Sequence, residues 1–195
     1  MIGIVDYNCG NLKSLENALE ALGLPSRRIS AREDLLGVER LILPGVGNFG
    51  HAGVELSRDG IGDALKARAA AKAPILGICL GMQLLFQGSD EAPDTPGLGL
   101  LEGRCAIFTG PGLKVPHMGW SAVDFGDRSQ AAYFVHSYYV PRWPEGVPAQ
   151  AVGLTQYGRP FLAAFHAGHL SGFQFHPEKS GTQGLALLKE ALQWS

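Results

Sequence analysis

The chain has 195 residues, a formal charge of −2, and 46% apolar against 17% charged residues. At about 100–200 residues per domain, that composition fits one globular domain spanning 1–195 and excludes a disordered chain. No cluster of lysines or arginines offers a surface to nucleic acid or to an anionic membrane, so neither is expected as a partner.

The longest apolar stretch, Ala73 to Phe86, falls short of the roughly 20 residues that a membrane-spanning helix needs. The opening apolar run ends at Asp6, too early for the apolar region of a secretory signal, and a cytoplasmic protein is therefore expected. Three cysteines, Cys9, Cys79 and Cys105, form neither an even set nor a Cys-x-x-Cys pair, which predicts no disulfide framework and no zinc site.

In chain order, Ile2-Gly3-Ile4-Val5 reads as a buried strand and Asp6 to Gly10 as the turn leaving its carboxyl end. Leu12, Leu15, Leu19 and Leu22 recur at helical steps, and Gly23 supplies the stop just beyond. The unit repeats as Leu41-Ile42-Leu43 before Pro44-Gly45-Val46-Gly47, and as Ile75-Leu76-Gly77-Ile78 before an amphipathic helix beginning near Leu80. This alternation predicts an α/β fold of three layers, built on a mostly parallel, doubly wound sheet. Cys105 to Phe108, Tyr133 to Val140, Phe161 to Phe165 and Leu170 to Phe175 are short, aromatic or β-branched and punctuated by Gly and Pro, which predicts antiparallel additions in the second half. Leu185, Leu188, Ala191 and Leu192 mark a closing helix. Doubly wound sheets hold their ligands at the carboxyl ends of strands, which directs attention to the loops after Val5, Leu43 and Ile78.

The loop after Ile78 carries the strongest signal. Gly77-Ile78-Cys79-Leu80-Gly81 has the Gly-x-nucleophile-x-Gly pattern of a strand-to-helix elbow, where side chains at the flanking glycines would collide with neighbouring backbone. A thiol held at a helix amino terminus is favoured as thiolate, the form that attacks. Further on, Phe173-Gln174-Phe175 reads as a strand end running into His176-Pro177-Glu178. Residues two apart on an extended segment point the same way, so His176 and Glu178 are expected to touch while Pro177 prevents a helix. His176 then acts as base and acid, with Glu178 fixing its tautomer. Gly45, Val46 and Gly47 offer flexible backbone N–H groups for an oxyanion, joined by the Leu80 N–H of the elbow. His51, His117, His166 and His169 lack such a setting and are assigned no chemistry.

These three segments together resemble the class I (triad) glutamine amidotransferases over nearly the whole chain. The resemblance implies their flavodoxin-like fold and a Cys79-His176-Glu178 triad that hydrolyses glutamine. Asp6-Tyr7-Asn8-Cys9-Gly10-Asn11-Leu12-Lys13-Ser14, Leu43-Pro44-Gly45-Val46-Gly47 and Pro116-His117-Met118-Gly119-Trp120 look like the glutaminase subunits of imidazole glycerol phosphate synthases. That group implies a heterodimer with a (β/α)₈-barrel cyclase subunit, which uses the ammonia to make imidazole glycerol phosphate and AICAR in histidine biosynthesis. It also implies that Gln83, His136, Ser137 and Tyr138 hold the amino-acid end of glutamine, and that Asn8, Asn11, Trp120 and Lys179 lie toward the cyclase. Cys9 stands at a variable position of the motif and is taken as incidental. Few residues follow Glu178, too few for an acceptor-binding domain, so a separate partner is expected. No metal or organic cofactor is expected, because the elbow and triad suffice for amide hydrolysis. The alternatives are a triad glutaminase serving another synthase, a chaperone-like or peptidase relative with the same elbow, and a silent docking module.

Overall fold

A computed structural model describes residues 1–194. Strand β1 (Ile2–Val5) is followed by helix α1 (Leu12–Ala21), whose Leu12, Leu15, Ala18 and Leu19 are buried, and Gly23 takes a left-handed φ of 68° just beyond it. The chain continues through β2 (Ser26–Ile29), β3 (Arg40–Leu43), α2 (Phe49–Ser57), α3 (Ile61–Ala70), β4 (Ile75–Ile78) and α4 (Leu80–Leu84). Next come β5 (Gly88–Ser89), β6 (Arg104–Ile107), β7 (His117–Asp124), β8 (Ser129–His136) and β9 (Tyr138–Tyr139). The last elements are β10 (Ala151–Tyr157), β11 (Arg159–Ala167), β12 (Leu170–Phe173) and α5 (Gly181–Ala191). Among the described residues, no helix is long and apolar enough to cross a membrane.

One large sheet runs in the order β2-β1-β3-β4-β12-β11-β10-β7-β8. From β2 to β12 all neighbours pair parallel; from β12 outward they pair antiparallel. Side chains alternate across the parallel strands because the strand period is two. Thus Val5, Leu41, Leu43 and Ile75 pack with α2 and α3 in one core, while Ile4, Ile42, Leu76 and Ile78 pack with α1 and α5 in the other. Helices therefore cover both faces, giving the three expected layers.

Several expected additions fall elsewhere. Leu170–Phe173 pairs parallel with β4, so it closes the parallel half rather than extending it. Arg104–Ile107 joins a small separate sheet, β5-β6-β9. The segment from Tyr133 to Val140 is not one strand: β8 ends at His136, and Tyr138–Tyr139 crosses to β6. The helix after Ile78 is one short, wholly buried turn, not an amphipathic helix, since Leu80, Gly81, Met82, Gln83 and Leu84 are all covered.

Candidate active site

Three adjacent strands, β3, β4 and β12, bring the glycine-rich segment, the elbow and the His176-Pro177-Glu178 turn to the same end of the sheet, and the loop after β1 joins them where the Cys9 carbonyl meets the Val46 N–H. After β4 the chain turns at Cys79 with φ 54° and ψ −112°, a region that non-glycine residues adopt only under strain. The surroundings enforce it. The Cys79 N–H donates to the Phe173 carbonyl at 2.6 Å, a Cβ on Gly77 would lie 2.6 Å from the Met82 Cα, and one on Gly81 would overlap the Leu43 carbonyl. The flanking glycines thus let the turn pass between β3 and α4, as the elbow pattern requires.

His176 caps the turn after β12, and its Nδ1 lies 2.8 Å from Glu178 Oε1. The reason for that contact differs from the expected one. Pro177 to Lys179 is a short 3₁₀ turn with proline at its first position, where the missing N–H costs nothing, so the pair meets across a turn rather than along an extended segment. The His176 side chain is 3% exposed and that of Glu178 7%. Burial is the largest single influence and disfavours the charged ring. The neighbouring Cys79 sulphur and the Glu178 carboxylate together outweigh it and raise the His176 pKa to about 10. His176 Nε2 makes no hydrogen bond in this geometry, which leaves its proton free for a reacting atom.

Cys79 and His176 open into one cavity of about 300 Å³, lined also by Val46, Gly47, Leu80, Gln83, Glu91, His136, Ser137 and Tyr138. That volume lies at the small end of ligand sites, which span about 300–1,000 Å³. Gly45, named with the oxyanion segment, does not line it; a Cβ there would meet the Tyr7 hydroxyl at 2.6 Å and Gly81 N at 2.9 Å, so this glycine serves close packing. The Val46 N–H is already given to the Cys9 carbonyl at 3.2 Å. Cys9 therefore enters through its backbone, while burial pushes its thiol pKa up.

Behind the cavity the polar groups form a chain whose direction can be read from its end. The Tyr138 carbonyl can only accept, so His136 must carry its proton on Nδ1, 2.8 Å away, and its Nε2 must accept from His117 Nδ1 at 3.3 Å. His117 Nε2 then accepts from Ser121 Oγ at 2.9 Å. Burial lowers the pKa of His136 to about 3 and that of His117 to about 4, consistent with two neutral rings. Gln83 Nε2 donates to the same Tyr138 carbonyl at 2.8 Å.

The expected interface residues separate. Asn11 and Lys179 flank a narrow crevice that reaches His176 and Glu178 behind the Pro44–Val46 segment. Trp120 is 58% exposed on β7 beside Met118 at 63%. Asn8, at φ 62°, turns its side chain onto the buried Glu55 carboxylate at 2.9 Å. Among the described residues, no group of three or more His, Cys, Asp or Glu side chains is arranged to hold a metal ion. Glu91 and Gln174 were not anticipated. Glu91 carries no distinguishing motif, whereas Gln174 had a signal, a polar residue between Phe173 and Phe175 and two positions before His176.

The family model for class-I glutamine amidotransferases matches residues 4–193. The chain belongs to that family. It is 44% identical to the imidazole glycerol phosphate synthase subunit HisH of Symbiobacterium thermophilum over 96% of this chain and 91% of the relative. It is 43% identical to that of Deinococcus radiodurans over 95% and 89%. A solved glutamine amidotransferase superposes with a TM-score of 0.80 at 24% identity, covering 98% of this chain and 97% of that one. The PurLQS structure from Thermotoga maritima superposes with a TM-score of 0.74 at 19% identity, covering 98% and 96%, so the fold is shared well beyond sequence similarity.

Proposed function

We infer that the chain is the glutaminase subunit of an imidazole glycerol phosphate synthase, hydrolysing glutamine to glutamate and passing the ammonia to a cyclase subunit. One observation carries the reading: the elbow thiol and His176, the latter paired with Glu178, open into the same small cavity. The 43–44% identity to HisH subunits over nearly the whole chain supports the choice of synthase.

Cys79 Sγ attacks the side-chain amide carbon of glutamine, and the carbonyl electron pair moves to oxygen. His176 then gives its proton to the amide nitrogen, the C–N bond breaks, and ammonia leaves a thioester on Cys79. Water attacks the thioester carbon and yields a proton to His176 as the C–S bond breaks, freeing glutamate and restoring the Cys79 thiolate beside a protonated His176. Glu178 stabilises the ring in its charged form at the start and end of the cycle and keeps it oriented in between. The Leu80 N–H is one donor for the oxyanion. Val46 supplies a second only after its peptide turns away from Cys9, a movement eased by Gly47 at φ 99° and suited to control by a partner. Glu91, the acidic residue on the cavity wall, receives the α-ammonium group, while Gln83, Ser137 and Tyr138 hold the rest of the amino-acid end.

The partner is a (β/α)₈-barrel cyclase docked over Asn8, Asn11, Trp120 and Lys179, working with this single domain in the cytoplasm. The test is glutamate release by the purified chain, alone and with the cyclase and its nucleotide, with Cys79→Ala as control. Strong activation in the complex that Cys79→Ala abolishes is expected; full-rate turnover by the isolated chain would contradict partner control.

A further inference from the structure

Gln174 is wholly buried at the end of β12, where the strand context is otherwise aromatic. A buried amide needs partners for both ends. Its Oε1 accepts from Gln83 Nε2 at 3.0 Å, and its Nε2 lies 3.8 Å from Cys79 Sγ. The orientation is not arbitrary. Gln83 must present its NH₂ to the Tyr138 carbonyl, which only accepts, so the atom of Gln174 facing that same NH₂ must be oxygen. The NH₂ of Gln174 is thereby aimed at the sulphur. Reversing Gln174 would set two NH₂ groups against each other, and reversing Gln83 would set its oxygen against two other acceptors, in a closed interior.

We propose that Gln174 is a positioning residue for the glutaminase reaction, donating a hydrogen bond to the Cys79 sulphur while its carbonyl holds Gln83 against the substrate-binding Tyr138 segment. The proposal rests on the functional reading above and deepens it. It ties the nucleophile to the cavity wall through a directional chain, Tyr138 carbonyl, Gln83, Gln174, Cys79. A donor to a charged sulphur stabilises it and fixes its direction of attack, and a hydrogen bond to a charged group is stronger than one between neutral groups.

Two variants test this, in the full chain with its cyclase partner for turnover and in the full chain alone for thiol reactivity. Gln174→Met keeps the volume and removes both donor and acceptor. It is expected to slow iodoacetamide labelling of Cys79 at neutral pH by about tenfold or more, followed peptide by peptide so that Cys9 and Cys105 do not contribute. Its kcat should fall similarly, and its KM should rise several-fold as Gln83 loses an anchor. Gln174→Glu keeps the acceptor for Gln83, and its protonated acid can still donate to sulphur. Its rate relative to wild type should therefore fall about tenfold with rising pH as the carboxyl ionises, a signature that loss of packing alone does not produce. Labelling of Gln174→Met at the wild-type rate, or a Gln174→Glu to wild-type ratio flat across pH, would overturn the proposal. Failure of the wild-type complex to hydrolyse glutamine would instead overturn the functional reading, while the labelling comparison still decides whether Gln174 acts on the sulphur.

Discussion

The parallel strands β3, β4 and β12 and the antiparallel strands β11, β10, β7 and β8 share one sheet but store different physical liabilities. In the parallel half the liability is backbone strain. Cys79 is held at positive φ because strands on both sides of β4 and the packed glycines leave no alternative path. In the antiparallel half it is buried polarity: His117 and His136 lie in an aromatic cluster with Phe134 and Phe161, uncharged and satisfied only by one directional chain ending on Tyr138. In the proposed reaction one half holds the reactive groups, and the other builds the wall against which the substrate is held. Rigid parallel pairing suits the first task, whereas the second needs a surface whose polar atoms are fixed without being reactive.

Breaking each half should give different readouts. Cys79→Ala removes the nucleophile from the parallel half and is expected to lower glutamine turnover by at least about 10³-fold, while the melting curve stays close to wild type. Retained turnover would place the chemistry elsewhere. Phe161→Ala attacks the other half. Its ring is fully buried and lies edge-on to Phe108, His117, Phe134, His136 and Tyr139. Truncating such a ring costs about 3–5 kcal/mol, so denaturant unfolding should show a loss of that size. A loss under 1 kcal/mol would mean that the cluster is not the structural core of this half.

The same division decided what the sequence revealed. The parallel strands are continuous aliphatic runs ending in glycine-rich turns, and the elbow's chemistry demands its glycines, so Cys79 and its neighbours were legible from residue types alone. The antiparallel strands were not. In β7 the pattern is inverted, with His117 buried and Met118 and Trp120 exposed, and an alternation read by hydrophobicity misses it. Edge strand β2 exposes Arg27 and Arg28 and carries little apolar signal. His176 and Glu178 were found for the right spacing but joined by a 3₁₀ turn. Gln174 and Glu91 are placed by hydrogen bonds to residues distant in sequence, which residue types near them do not disclose.

Acid should sharpen the contrast by loading the buried histidines of the antiparallel half. The folded pKa values of His117, about 4, and His136, about 3, lie below the ordinary value near 6.5. Between pH 6.5 and 4 the unfolded chain therefore binds protons that the folded chain refuses, and stability falls as pH falls. Each histidine contributes up to roughly 1.4 kcal/mol per pH unit in that window. His176, raised to about 10, is charged in both states there and adds nothing to the slope; its stabilisation is lost only as pH rises toward 10. Melting temperature followed from pH 7 to 4.5 should drop, and His117→Gln, which can still accept from Ser121 and donate to His136, should flatten part of that drop, the rest coming from His136 and from His166 and His169, which burial also holds below the ordinary value. An unchanged slope in the variant would mean that His117 is not one of the groups responsible.

The smallest expected effect isolates the strain in the parallel half. At φ 54° and ψ −112° any side chain bearing a Cβ is penalised, and glycine is not. Cys79→Ala keeps the penalty and Cys79→Gly removes it, while neither has a sulphur, so their difference reads the backbone and not the chemistry. Strain of this kind costs about 1–3 kcal/mol, and the greater flexibility of unfolded glycine offsets roughly 0.5–1 kcal/mol of the relief. Cys79→Gly should therefore be more stable than Cys79→Ala by about 1 kcal/mol in denaturant unfolding, although both are inactive. If Cys79→Gly is instead the less stable of the two, the elbow is not strained in the folded chain. The contacts of β3, β12 and α4 would then be positioning a conformation that the residue adopts at no cost, rather than holding the thiol against its preference.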